Sequence, residues 1–123
     1  MRAAAVLYVG DLARMSAFYA GCFGLTVLDS AASYCGLESE AWLLTLVQSA
    51  EAQPSSIPPP RRSQTPIKLA FEVDSIEAVR SLVADLGGQV EPPESAWTFR
   101  NATHCDSVDP EGNVIQLIEP HPS

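Results

Sequence analysis

Residues 5–24, AVLYVGDLARMSAFYAGCFG, are answered 64 positions later by residues 69–88, LAFEVDSIEAVRSLVADLGG. Both stretches open with a β-prone run and continue with apolar residues at helical spacing, and both end at glycine. The equivalent helix positions are Leu12, Met15, Phe18, Tyr19, Cys22 and Gly24 in the first copy and Ile76, Val79, Leu82, Val83, Leu86 and Gly88 in the second. The repeat predicts two strand–helix units that enclose a space between them.

Short β-prone runs follow each strand–helix unit, so the predicted order is β-α-β-β-β, twice. The first copy is predicted as a strand at 3–9, a helix capped by Asp11 that runs through Phe23, and strands at 25–29, 33–37 and 42–48. The second is predicted as a strand at 66–73, a helix over 75–86 capped by Asp74, and strands at 89–91, 103–108 and 113–118. We therefore expect one α+β domain over 1–123, with module 1 at 1–48, a linker at 49–65 and module 2 at 66–120.

The linker, SAEAQPSSIPPPRRSQT, has no periodicity and carries four prolines and two adjacent arginines. This composition is typical of an extended connector. It can serve as a passive tether, or as a flap over a ligand site, because long loops in compact domains are often lids.

Composition limits the partners and the compartment. Fifteen acidic and seven basic side chains give a formal charge of −8, which argues against nucleic acid and anionic membranes. The longest apolar run, residues 3–9, is far shorter than a bilayer span. The three cysteines form no C-x-x-C pair and leave one unpaired, so an oxidising compartment is not implied and a cytoplasmic location is expected.

Several segments resemble the vicinal oxygen chelate superfamily, which includes glyoxalase I, extradiol dioxygenases and bleomycin resistance proteins. The segments are Leu7-Tyr8-Val9-Gly10-Asp11-Leu12, Phe18-Tyr19, Gly24-Leu25, and Asp109-Pro110-Glu111-Gly112-Asn113 followed by Val114-Ile115-Gln116-Leu117. The resemblance implies two βαβββ modules whose sheets form one incomplete barrel, with helices outside and a ligand cavity inside. It also implies a homodimer.

Alternation along the strands then divides their side chains between the helices and the cavity. The cavity set is Ala4, Val6, Tyr8, Leu43, Thr45 and Val47 from module 1 and Lys68, Ala70, Glu72, Val114, Gln116 and Ile118 from module 2. In metal-using relatives four of these positions hold a divalent ion, and here they are Ala4, Thr45, Lys68 and Gln116. None is a strong ligand, so we expect no metal and no other cofactor. A relocated site around His104, Asp106 and Gln116 is the alternative.

Binding without turnover is the first functional hypothesis, because the bleomycin resistance branch sequesters a drug without altering it. The predicted small-molecule contacts are Tyr8, Thr45, Lys68, Glu72, His104 and Gln116. Lys68 favours an anionic or carbonyl-bearing ligand. Two alternatives stay open: an enzyme with an atypical metal site or metal-independent chemistry at Lys68 or at His104 with Asp106, and a non-catalytic interaction subunit whose cavity is filled by side chains.

Overall fold

The first half of the chain follows the predicted order closely. The computed structural model describes residues 1–54, 56, 59–63 and 65–123. The elements of the first half are β1 (Ala3–Val9), α1 (Leu12–Phe23), β2 (Thr26–Ser30), β3 (Tyr34–Glu38) and β4 (Trp42–Gln48). Asp11 caps α1 by accepting a hydrogen bond from the Arg14 amide, and Gly24 ends the helix with φ 64°.

The second half departs from the prediction in three places. Its elements are β5 (Leu69–Glu72), α2 (Ile76–Asp85), β6 (Gln89–Val90), β7 (Trp97–Phe99), β8 (Ala102–Val108) and β9 (Val114–Pro120). Strand β5 is shorter than predicted, so Lys68 precedes it. The predicted cap Asp74 is wrong: Ser75 Oγ accepts from the Ala78 amide, which starts the helix one residue later. Strand β7 was not predicted.

Two mixed sheets repeat the same strand order. The N-terminal sheet has the order β1-β4-β3-β2, and the C-terminal sheet has the order β5-β9-β8-β6, with β7 also paired to β8. In each sheet the first and last strands of the half are parallel neighbours and the remaining pairs are antiparallel. Strands β6 and β7 pair with opposite ends of β8 and are separated by Pro92 and Pro93, which cannot donate to a ladder.

One core joins the two halves. Phe71 of β5 lies parallel to Phe23 of α1 with ring centroids 3.9 Å apart, and Tyr19 and Trp42 pack against the same ring. Helices α1 and α2 contact each other, and apolar side chains of both sheets belong to the same buried cluster. The halves therefore share one hydrophobic core.

The β8–β9 turn holds the two halves together at the end of β1. Asp109 and Glu111, in this turn, are only 1% and 4% exposed. The Tyr19 hydroxyl donates to Asp109 Oδ2 over 2.6 Å, and the Gly10 and Asp11 amides donate to the Glu111 carboxylate over 2.7–3.0 Å. Glu111, in the turn that carried the family resemblance, thus accepts hydrogen bonds from the backbone amides that precede α1.

The described part of the linker contacts both halves, since Gln53 donates to the Gly10 carbonyl over 2.7 Å and Arg62 reaches the β8–β9 turn. Ala50–Ala52 form a short 3-10 helix, and the Arg62 amide donates to the Gly112 carbonyl over 2.9 Å. The described chain contains no helix that is long and apolar enough to cross a membrane.

Candidate ligand-binding face

The predicted contacts in the first half lie on the face of the N-terminal sheet that points away from the core. Val6 pairs with Thr45 and Tyr8 pairs with Val47, so these side chains share that face. Val6 and Tyr8 are 60% and 62% exposed, whereas Val9, Leu44 and Leu46 of the same strands are fully buried on the core side. We call this surface the N-terminal face; in one chain it is open to solvent.

The corresponding surface of the C-terminal sheet, the C-terminal face, carries an aromatic and polar cluster around His104. The His104 imidazole is 4% exposed and stacks on Trp97 with ring centroids 5.5 Å apart. Its Nε2 is 2.9 Å from the Phe99 carbonyl oxygen, and the Gln116 amide nitrogen is 2.7 Å from its Nδ1. Because a carbonyl only accepts, Nε2 carries the proton and Nδ1 accepts from Gln116.

A charge network borders this cluster. Lys68 Nζ lies 3.0 Å from Asp106 Oδ1 and 5.6 Å from the centroid of the Trp97 ring. Arg61 of the linker approaches the same carboxylate, at 3.1 Å from Asp106 Oδ2, and its other terminal nitrogen lies 2.5 Å from Glu91 Oε1. The Asp106 carboxylate is therefore paired with two cations, Lys68 just before β5 and Arg61 of the linker.

The structure brings together Lys68, His104 and Gln116 on the C-terminal face. Glu72 lies on the same face, because it pairs with Ile118 and Ile118 pairs with His104. Tyr8 and Thr45 lie on the other sheet. Glu72 also lines a cavity at the end of β5.

Sequence reasoning did not assign Trp97 or Arg61 to the site. Trp97 lies on β7, which was not predicted because Pro92 and Pro93 come shortly before it in the sequence. The two adjacent arginines of the linker were the one signal for Arg61, since a charged pair in a proline-rich tether has no packing role of its own.

The side chains at the family's metal positions do not fit a divalent ion. Lys68 brings an ammonium to the position, and Gln116 directs its amide NH₂ at His104. The relocated set fares no better, because both His104 nitrogens are hydrogen-bonded and Asp106 is already paired with two cations. Within the described ranges no three His, Cys, Asp or Glu side chains are grouped so that they could hold a metal ion.

Comparison with known proteins assigns the chain to a family. The family model of the glyoxalase-like domain matches residues 4–118, so the chain belongs to the glyoxalase-like domain family. This confirms the resemblance to the glyoxalase, bleomycin resistance and dioxygenase proteins and the predicted α+β fold. No curated protein sequence matches the chain.

Solved structures of low sequence identity share the fold. A glyoxalase/bleomycin resistance protein/dioxygenase family enzyme from Burkholderia phytofirmans PsJN is 19% identical with TM-score 0.73, covering 94% of this chain and 95% of its own. A glyoxalase/bleomycin resistance protein from Albidiferax ferrireducens T118 is 21% identical with TM-score 0.67, covering 97% of both chains. The fosfomycin resistance protein FosX from Listeria monocytogenes is 16% identical with TM-score 0.70, covering 100% of this chain and 91% of its own.

Proposed function

We propose that this protein binds a small molecule on its C-terminal face without a metal ion, and that it sequesters a drug or metabolite rather than converting it. The observation that carries the proposal is the state of the two family metal positions on this face. Lys68 is an ion-paired ammonium and Gln116 is an amide that orients His104. These groups can recognise a ligand by charge and hydrogen bonds, but they cannot grip a divalent ion.

The chemistry of the face favours a flat, anionic or carbonyl-bearing ligand. Trp97 is 38% exposed and offers an aromatic surface beside the Lys68 ammonium. An aromatic plane next to a positive charge complements a conjugated acid or ketone, because stacking and charge act on neighbouring parts of one molecule.

The proposal includes a homodimer, in which the N-terminal face of one chain is covered by the second copy. Val6 and Tyr8 are 60% and 62% exposed on this face in a single chain, and apolar side chains exposed together favour association. Light scattering after gel filtration at micromolar concentration is expected to give twice the 13.2 kDa chain mass; a purely monomeric species contradicts this part of the proposal.

The proposal includes a cytoplasmic location as well. Cys22, Cys35 and Cys105 are free and buried, as is usual for thiols in a reducing compartment.

Lys68 makes the function directly testable because it is the only lysine in the sequence. A thermal-shift screen across divalent ions, glycopeptide antibiotics, thiol adducts, aromatic diols and fosfomycin is expected to yield a stabilising organic ligand. That ligand should protect Lys68 from an amine-reactive reagent, with the modified peptide measured by mass spectrometry.

Two variants and a metal analysis decide the outcome. Lys68→Met should remove the stabilisation by the hit, whereas Arg100→Met, which removes a cation stacked on Phe99 at the neighbouring turn, should leave it unchanged. Stoichiometric metal in the purified protein, or protection that is independent of Lys68, would replace the proposal with a metal-dependent enzyme or with a site elsewhere.

A further inference from the structure

A cavity of about 720 Å³ opens between the two halves at the end of β5. Its walls come from the end of α1, the start of β4, and the segment that joins β5 to α2. Its apolar lining includes Phe23, Trp42 and Phe71. The volume is in the range of small-molecule pockets. Lys68, Trp97, His104 and Gln116 are not in the wall, although Ala70 and Glu72 of the wall are paired with Gln116 and Ile118 of the C-terminal face.

The equivalent place at the other end of the molecule is filled by protein. There the β8–β9 turn inserts Asp109 and Glu111, which are almost completely buried and bond to Tyr19 and to the amides at the start of α1. By the 64-residue repeat, Gly10 and Asp11 correspond to Asp74 and Ser75, which line the open cavity. The β8–β9 turn therefore occupies its end of the repeat, and a separate cavity of about 600 Å³, which Gly10 and Asp11 also line, is bordered instead by residues of the segment 30–35.

The sequence explains the difference. Ala5 pairs with Leu44 and Leu69 pairs with Ile115, and these registers make Glu38 and Glu40 the counterparts of Asp109 and Glu111. Glu38 turns away to an ion pair with Arg2, its Oε2 lying 2.7 Å from the arginine Nη1, and Glu40 is exposed. The β3–β4 turn thus borders the cavity instead of filling it.

The cavity at the end of β5 is lined by both aromatic and acidic side chains. Glu72 and Asp74 are exposed carboxylates in its wall, and no lysine, arginine or histidine is among the described residues that line it. We propose that this cavity is a binding site for a hydrophobic organic ammonium ion, with the apolar body against Trp42 and Phe71 and the charged nitrogen near the two carboxylates. The aromatic rings suit the apolar body, the carboxylates attract the ammonium group, and the formal charge of −8 adds a favourable field.

Two probes of the same size and opposite charge test the proposal: 4-phenylbutylamine and 4-phenylbutyrate. Calorimetric titration of the intact protein at low salt should show the amine binding about tenfold or more tightly than the acid, since only the charge differs. The indole N–H signal of Trp42 should shift in the proton–nitrogen spectrum, while that of Trp97 should not. The Trp97→Phe variant assigns the two signals.

Variants locate the binding. Glu72→Gln and Asp74→Asn each remove one exposed carboxylate and should weaken amine binding about fivefold, the effect of roughly 1 kcal/mol of charge interaction. Asp85→Asn removes an equivalent exposed charge from the far end of α2 and should change the affinity by less than about twofold. Ala78→Trp, on the cavity wall, should abolish amine binding by occupying the space.

The proposal is overturned if the amine does not bind, if acid and amine bind alike, or if the Trp97 signal moves in place of that of Trp42. These outcomes are independent of the proposed function. That function is tested by the protection of Lys68 from modification, whereas amine binding is tested by the indole signal of Trp42. Amine binding that survives Ala78→Trp would equally place the amine outside the cavity.

Discussion

Asp109 shows how one residue can be both the most buried charge in the molecule and one of its best-satisfied groups. Its carboxylate accepts four hydrogen bonds: from the Tyr19 hydroxyl, the Asn113 side chain, and the Glu111 and Asn113 amides. Burial raises its pKa above 3.8, and the hydrogen bonds from Tyr19 and Asn113 oppose that rise. The stability of the turn therefore depends on the protonation state of the Asp109 carboxyl group.

Tyr19→Phe should destabilise the protein by about 2 kcal/mol, because it removes a hydrogen bond to a buried charged group. The measurement is urea-induced unfolding at neutral pH. Tyr34→Phe, on an exposed part of β3, is the matched control and should change the free energy of unfolding by less than about 0.5 kcal/mol. Equal effects of the two variants would contradict a role for the Tyr19–Asp109 hydrogen bond.

The pKa of Asp109 can be followed by carboxyl carbon NMR. The folded pKa is raised, so the native state holds this proton more tightly than the unfolded chain does. The resulting contribution to stability is fully present below about pH 3.8 and is lost as the pH rises through the folded value. In Tyr19→Phe the pKa should rise further, since a bond that lowers it is gone. A wild-type midpoint at or below 3.8 would disprove the assignment.

At the scale of the elements, the 64-residue repeat predicted β1, α1 and α2, and the β-prone runs predicted β2, β3, β4, β6, β8 and β9, all to within about two residues. The repeat did not determine where α2 begins or that β7 forms. Asp74 and Ser75 are both good caps, and only the phase of α2 against the core selects Ser75. Strand β7 escaped prediction because its pairing with β8 is a tertiary contact that follows a proline break.

The candidate site was less predictable than the fold. Alternation placed Gln116 and the predicted strand residue His104 on one face, but the hydrogen bond between them requires the register of β8 against β9. The approach of Arg61 to Asp106 depends on the path of the linker, which has no periodicity to read. Contacts between segments distant in sequence are set by packing, not by local pattern.

Glycine substitutions at two turns test how firmly the linker is held. Gly112 has φ 84°, and a Cβ there would overlap the Pro60 carbonyl oxygen; Gly24 has φ 64° with nothing within 4 Å. Gly24→Ala should cost about 1 kcal/mol of backbone strain, and Gly112→Ala about 3 kcal/mol, since the linker must also move. Hydrogen exchange at the Arg62 amide should accelerate only in Gly112→Ala. Equal losses of unfolding free energy in the two variants would show that the linker moves away from residue 112 without a measurable cost.

At the scale of the whole molecule, Phe71 is the side chain that both halves share. It belongs to the C-terminal sheet and packs against Tyr19, Phe23 and Trp42 of the first half. A core of this kind predicts that the halves unfold together, because removing either one exposes the buried surface of the other.

Phe71→Ala should therefore lower the free energy of unfolding by about 4 kcal/mol and keep a single transition. Calorimetry and urea unfolding followed by two probes, tryptophan fluorescence and far-ultraviolet circular dichroism, provide the measurement. Phe99→Ala is the control, because Phe99 is 52% exposed and should cost less than about 1 kcal/mol. Two separated transitions in the wild-type protein would show that the halves are independent.

The carboxylate of Glu111 meets the amide of Gly10 across 101 positions of sequence. During synthesis the ribosome must therefore extend the chain beyond Glu111 before the start of the first helix receives this partner. We expect the first helix to stay accessible to proteases and chaperones until Glu111 has left the ribosome, and to become protected once this contact forms.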